Sequence, residues 1–160
     1  MYKRLAISIV IVFLMISCNE EHREIRKLNN LLNQEYKYKI KKVSFIIIIP
    51  QSGCHGCISE SIKFIRANLN KTSDFFVILS KITDEKYFSF YTGSEIFNNK
   101  NVYFDEGNEI SRITKMTIYP QIVFIKNGKA KSIMDVSPNE RNIWKKLSRD
   151  IQKKVRSICH

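Results

Sequence analysis

Beyond the first 17 residues, the two longest uninterrupted apolar runs are Phe45 to Ile49 and Phe75 to Leu79. Runs this short and this β-branched predict strands buried on both faces, with the first strand opening at Val43. Before them, Ile25, Leu28, Leu32 and Tyr36 recur at helical spacing among charges, which predicts an amphipathic helix over Glu20 to Tyr38. Between the strands, Ile58, Ile62, Ile65 and Leu69 lie on one side of a helix over Cys54 to Leu69. Asp84 to Phe97 reads as an aromatic-rich helix, Val102 to Phe104 as a short strand, 105–108 as a turn and Glu109 to Thr114 as a short helix. Tyr119 to Ile125 is a strand opened by proline. Asn127-Gly128 is a hairpin turn, and Ala130 to Val136 returns as the partner strand. Ser137-Pro138-Asn139-Glu140 carries the marks of a helix start, with serine as cap, proline first and glutamate third, and the last helix runs to about Val155. Parallel β-α units followed by an antiparallel hairpin and a closing helix predict an α/β fold: a central mixed sheet with helices on both faces.

The first 17 residues have a different pattern. Lys3 and Arg4 precede an apolar stretch from Leu5 to Ile16. That stretch is shorter than the roughly 20 residues a bilayer span needs, and it reads as a signal peptide. It closes on Leu14-Met15-Ile16-Ser17-Cys18. A small residue before a cysteine at the end of an apolar run resembles the lipobox of bacterial lipoproteins. The resemblance implies a signal over 1–17, acylation of Cys18, a lipid-attached helical stalk over 18–42 and a folded domain over 43–160. It also implies export to a cell-envelope compartment that permits disulfides, with the lipid bilayer as a partner.

The formal charge is +12, and Lys3 and Arg4 leave with the signal. Such a balance can point to nucleic acid or an anionic membrane. Here the cations are dispersed, densest from Lys145 to Arg156 on the last helix, and no nucleic-acid motif accompanies them. A solvated face near a membrane surface is the expectation, with no nucleic-acid partner.

Four cysteines are too few for a disulfide scaffold in 160 residues. Cys18 is assigned to lipid, Cys159 is left near the C-terminus, and Cys54 and Cys57 form a C-x-x-C pair where a buried strand meets a helix. At a helix N-terminus the unpaired N–H groups and the dipole favour a thiolate, which is the reactive form of cysteine. Thiol–disulfide exchange is the expected chemistry. Cys54 would attack and Cys57, one turn on, would resolve, while His55 tunes the thiolate. An inert disulfide and an idle surface histidine are the plainer alternatives.

With strand, loop, Cys54-His55-Gly56-Cys57 and helix in place, the chain resembles the thioredoxin superfamily, and within it the exported TlpA-like (redoxin-like) thiol–disulfide oxidoreductases. The resemblance covers about residues 43–155. It also rests on Tyr119-Pro120-Gln121-Ile122-Val123-Phe124-Ile125-Lys126-Asn127-Gly128-Lys129 and on Phe104-Asp105-Glu106-Gly107-Asn108-Glu109-Ile110. It implies a thioredoxin-like fold, a cis Pro120 packed on the disulfide, and Tyr119 lining a groove for substrate backbone. It implies protein thiol or disulfide substrates, a membrane electron donor or acceptor, and no cofactor beyond the redox-active Cys54–Cys57 disulfide. Gly53 stands where thioredoxins usually have tryptophan, and Ile48 where many have a buried acid.

Two other classes stay in view. Cys54, His55 and Cys57 supply three soft or borderline metal donors, whereas structural zinc takes four, and no second ligand pair accompanies them; no metal is expected. Ile58 after Cys57 disfavours covalent haem. A catalytically weak thioredoxin-fold lipoprotein, acting as a binding or accessory module, is the alternative function that Ile48 keeps open.

Overall fold

The computed structural model of the chain describes residues 22–140 and 142–158. Five strands form one sheet: β1 (Phe45–Pro50), β2 (Phe75–Ser80), β3 (Val102–Phe104), β4 (Gln121–Lys126) and β5 (Lys129–Asp135), in the order β3-β2-β1-β4-β5. β1 runs parallel to β2 and β2 parallel to β3, while β4 is antiparallel to both β1 and β5. The mixed sheet expected from the pattern is the one observed.

The helices are α1 (residues 22–35), α2 (Lys37–Ile40), α3 (His55–Asn68), α4 (Glu85–Thr92), α5 (Ser94–Phe97), α6 (Glu109–Ile113) and α7 (Asn142–Ile158). Alternation along β1 sends side chains into two cores. Phe45, Ile47 and Ile49 join Ile58, Ile62 and Ile65 of α3 and Trp144, Leu147 and Ile151 of α7 on one face. Ile46 and Ile48 join Leu28 and Leu32 of α1, Ile40 of α2 and Ile110 of α6 on the other.

The second core corrects the stalk expected over 18–42. In the described part of that segment, Leu28, Leu32 and Ile40 are no more than 1% exposed. The apolar stripe at helical spacing is spent on the sheet, so α1 and α2 belong to the folded unit. Their junction is a bend at Tyr36, whose ring packs on Phe76 and Tyr103.

Smaller differences have local causes. The aromatic helix breaks at Gly93, whose φ of +87° suits glycine, giving α4 and α5. β4 begins at Gln121 because Pro120 offers no N–H to the ladder. Ser137 starts a 3₁₀ turn over Pro138–Glu140, closed by Glu140 N–H on the Ser137 carbonyl at 2.9 Å, and α7 follows it. The Asn127-Gly128 turn has positive φ at both residues, the geometry a two-residue hairpin needs. Among the described residues no helix is long and apolar enough to cross a membrane. Residues 1–21, including the signal expected over 1–17 and Cys18, lie outside the described residues, as does Cys159.

Candidate active site at Cys54 and Cys57

β1 ends at Pro50, and the chain turns through Gln51, Ser52 and Gly53 into α3. Cys54 is the N-cap of α3, with extended backbone (φ −66°, ψ 96°), and its sulfur accepts the Cys57 N–H at 3.4 Å. The two cysteines are joined as a disulfide, with their Cα atoms 5.3 Å apart. Cys54 is half-buried, whereas Cys57 is 5% exposed and belongs to the core side of the helix. The outer sulfur is therefore the one an incoming thiol reaches.

The loop before β4 is the second wall. The Cys54 N–H donates to the Ile118 carbonyl at 2.8 Å. Gly53 permits that approach. Its φ is +147°, and a Cβ there would lie 2.2 Å from the Ile118 oxygen. Ile118 is 55% exposed beside the pair, Tyr119 is half-buried and Pro120 is buried. The sequence resemblance implied a cis Pro120, and this is corrected: no described peptide bond is cis. On either side, the Ile118 carbonyl accepts from Cys54 and the Pro120 carbonyl accepts the Val136 N–H at 2.7 Å. Trans is also the form X–Pro bonds favour, by about 0.5–1 kcal/mol.

The third wall was not read from the sequence. Gln51 Oε1 accepts the Thr83 and Asp84 backbone N–H groups, the latter at 3.1 Å, and ties the loop after β2 to the cysteine loop. Asp84 then caps α4 by accepting the Tyr87 N–H at 2.9 Å. This places Tyr91 against His55. Its hydroxyl is 3.4 Å from His55 Nδ1, and the two rings meet edge to face with centroids 5.2 Å apart. Burial, and secondarily Tyr87 stacked beside it, hold the Tyr91 phenol above its ordinary pKa, so it stays protonated at neutral pH. His55 itself is exposed.

Lys81 braces the same region. It takes a left-handed conformation (φ +55°), and its ammonium donates to the Met116 carbonyl at 2.7 Å and the Thr117 carbonyl at 3.3 Å. The buried carboxylate of Asp105 accepts from Ser80 Oγ (2.7 Å), Ile110 N (3.1 Å) and Ser111 N (3.0 Å), fixing β2, β3 and α6 at this edge. Ile48 is fully buried on the α1 face and brings no ionisable group to the site. Among the described residues no three His, Cys, Asp or Glu side chains converge as a metal site.

The structure thus brings Cys54, His55, Cys57 and the 118–120 loop together. Gln51, Lys81, Tyr91 and Asp105 act through contacts 25 to 36 residues apart in sequence, and no local pattern marks such pairs. Asp84 as a helix cap was the one local signal available.

No protein-family model matches the chain, and no curated protein matches it. Among solved structures, it is similar to a crystal structure from Chlorobium tepidum, described as a candidate thiol:disulfide interchange protein DsbE. The TM-score is 0.50 at 15% identity, covering 72% of this chain and 83% of that one. At that identity the likeness is one of fold. Sheet order, the cysteine pair at the start of α3 and this structural neighbour together give the conclusion: the chain has a thioredoxin-like fold.

Proposed function

We propose that this protein is a thiol–disulfide oxidoreductase that reduces protein disulfides outside the cytoplasm, held to a membrane by acylated Cys18. One observation carries the chemistry. A disulfide spans the first turn of a 14-residue helix, with Cys54 half-buried and Cys57 buried. Redox pairs need that asymmetry, because one sulfur must meet the substrate and the other must wait behind it.

In the reducing direction the dithiol reacts. The Cys54 thiolate attacks one sulfur of a substrate disulfide, forming a mixed disulfide and releasing one substrate thiolate. Cys57, after losing its proton, attacks Cys54 Sγ. The Cys54–Cys57 disulfide forms and the second substrate thiolate leaves. Two electrons pass to the substrate, and a membrane electron donor supplies the two that restore the dithiol. The Cys57 N–H, aimed at Cys54 Sγ in the oxidised form, and the α3 dipole stabilise the attacking thiolate. His55 adds a donor beside it, and Tyr119 and Pro120 flank the substrate backbone.

The test is a titration of the full chain against reduced and oxidised glutathione, followed by insulin reduction. Reversible titration with turnover supports the reading. A pair that neither titrates nor turns over sinks it and favours an accessory binding module, the reading that Ile48 at the usual place of an acid supports. Trapping with Cys57→Ser identifies substrates. Cys18→Ala should release the protein from membranes, and unchanged retention would refute lipidation.

A further inference from the structure

We propose that the lipid anchor and the disulfide lie at the same end of the molecule, so that the Cys54–Cys57 pair works against a thiol or disulfide presented at the bilayer surface. The inference rests on the lipid reading of Cys18 given above. The direction of α1 carries it.

Three contacts fix that direction. Glu24, near the start of α1, forms an ion pair with Lys115. Asn29, further along, exchanges hydrogen bonds with the Ala130 backbone at 3.1 and 2.7 Å. Lys41, just past α2, lies against Gly128 in the β4–β5 turn, where a Cβ would stand 3.2 Å from Lys41 Cγ. The segment therefore runs from the loop before β4 to the far hairpin.

The loop before β4 is the wall of the active site. Lys115 precedes Ile118 by three residues, and the Ile118 carbonyl holds the Cys54 N–H. Gln121, which opens β4, pairs with Ile48 near the end of β1 and donates to the Thr114 carbonyl at 3.1 Å. Glu24, Ile25, Thr114, Lys115, Gln121 and Asp135 line one common cleft. The start of α1 and the disulfide thus share the end of the sheet where β1 finishes.

Chain length converts this into orientation. Cys18 is four residues before His22, a reach of about 14 Å at full extension. α1 alone, residues 22–35, rises about 20 Å as helix. The tether is shorter than the molecule. Whatever the tilt, the start of α1 stays within about 14 Å of the acyl chains, and the hairpin end is free to lie further out. The most basic part of the chain lies at the opposite end. Lys154 pairs with Asp74, which also accepts from Ser44 at 2.7 Å, and both precede strands that run toward the disulfide. The C-terminal cations around Lys154 therefore lie at the end away from Cys54. An orientation driven by those cations on anionic lipid would be the reverse.

The test uses the full lipidated protein in phosphatidylcholine vesicles containing a headgroup spin-labelled lipid. With Cys54 and Cys57 oxidised and Cys159→Ser in place, a bimane reporter is attached through Ser52→Cys beside the site or Lys126→Cys beside the hairpin. Both native positions are exposed. Quenching at position 52 should exceed that at 126 by at least threefold, and a flexible Gly/Ser insert of about 20 residues after Glu20 should erase the difference. Equal or reversed quenching in vesicle-bound protein overturns the orientation alone. Failure to bind vesicles overturns the lipid reading and this inference with it. Neither result depends on turnover, so an inert disulfide would leave the orientation standing.

Discussion

Replacing Gly53 with alanine probes the junction between the two loops that form the site. The residue has φ +147°, and a Cβ would sit 2.2 Å from the Ile118 oxygen and 2.9 Å from its carbonyl carbon. Those are backbone atoms, so no side chain can swing aside. Holding a non-glycine residue in that region costs of order 1–3 kcal/mol. Displacing the Ile118 carbonyl also breaks its bond from the Cys54 N–H, 2.8 Å long, worth about 1 kcal/mol. The expected loss is about 2–4 kcal/mol, a fall in Tm of roughly 5–15 °C for a domain of this size. Because Cys54 shifts with the loop, disulfide exchange should slow by about tenfold or more. Urea denaturation and insulin reduction measure the two effects. Gly56→Ala is the control two positions into α3. Nothing lies within 4 Å of its added Cβ, and the helix gains about 0.5–1 kcal/mol. If Gly53→Ala unfolds within about 0.5 kcal/mol of the parent, the close approach to Ile118 is refuted.

Four further outcomes are expected. Leu28→Ala should cost about 2–5 kcal/mol in urea unfolding, because the side chain is fully buried, whereas a solvated stalk would lose almost nothing. Asp105→Ala strands the Ser80 hydroxyl and two N–H groups and should cost about 2–4 kcal/mol by the same assay, with Asp105→Asn milder. Lys81→Met removes the ammonium from the Met116 and Thr117 carbonyls. Hydrogen exchange at the Cys54 amide should speed several-fold, with partial recovery in Lys81→Arg. The Tyr36 phenol is pushed up to about 12, by burial first and then by Asp105, Glu35 and Glu106. The folded state therefore keeps a proton that the unfolded chain loses near pH 10, and stability should be full below pH 10 and fall by about 1–2 kcal/mol toward pH 12. Tyr36→Phe should flatten that decline in urea melts taken across the range.

The parts of the fold that sequence reading captured are those set by short-range rules. β1 and β2 are apolar throughout because both faces are covered, so neighbouring residues identify them. β3 falls on the expected residues, and the Asn127-Gly128 hairpin follows from backbone conformation alone. Cys54 as the N-cap of α3 is equally local. What failed was decided elsewhere. Glu20 to Tyr38 has a stripe that fits a stalk or a docked helix equally well, and only the exposed apolar face of the sheet decides between them. Tyr91 reaches His55 only because Gln51 fixes where α4 begins, and that contact joins residues 32 and 33 apart. Of the aromatics at 87–91, Phe88 alone is buried, while Tyr87 is 53% and Phe90 89% exposed.

These details divide the proposed reaction into two unequal halves. The attacking half is built into the backbone. Cys54 caps α3, its sulfur faces the Cys57 N–H, and its own N–H is held by Ile118. A hydrogen bond to sulfur strengthens when the sulfur becomes an anion, so the geometry of the disulfide already suits the thiolate. The resolving half has no such provision in the same places. Cys57 must lose a proton while 5% exposed. Ile48 cannot accept that proton. Asp105, the buried carboxylate at this edge of the sheet, is already engaged by three hydrogen bonds. In the proposed reaction that proton would leave on the solvent side, past Cys54 and His55, where the imidazole is exposed and meets Tyr91. On this mechanism His55 matters more to resolving the mixed disulfide than to forming it, since the helix N-terminus already serves the first step.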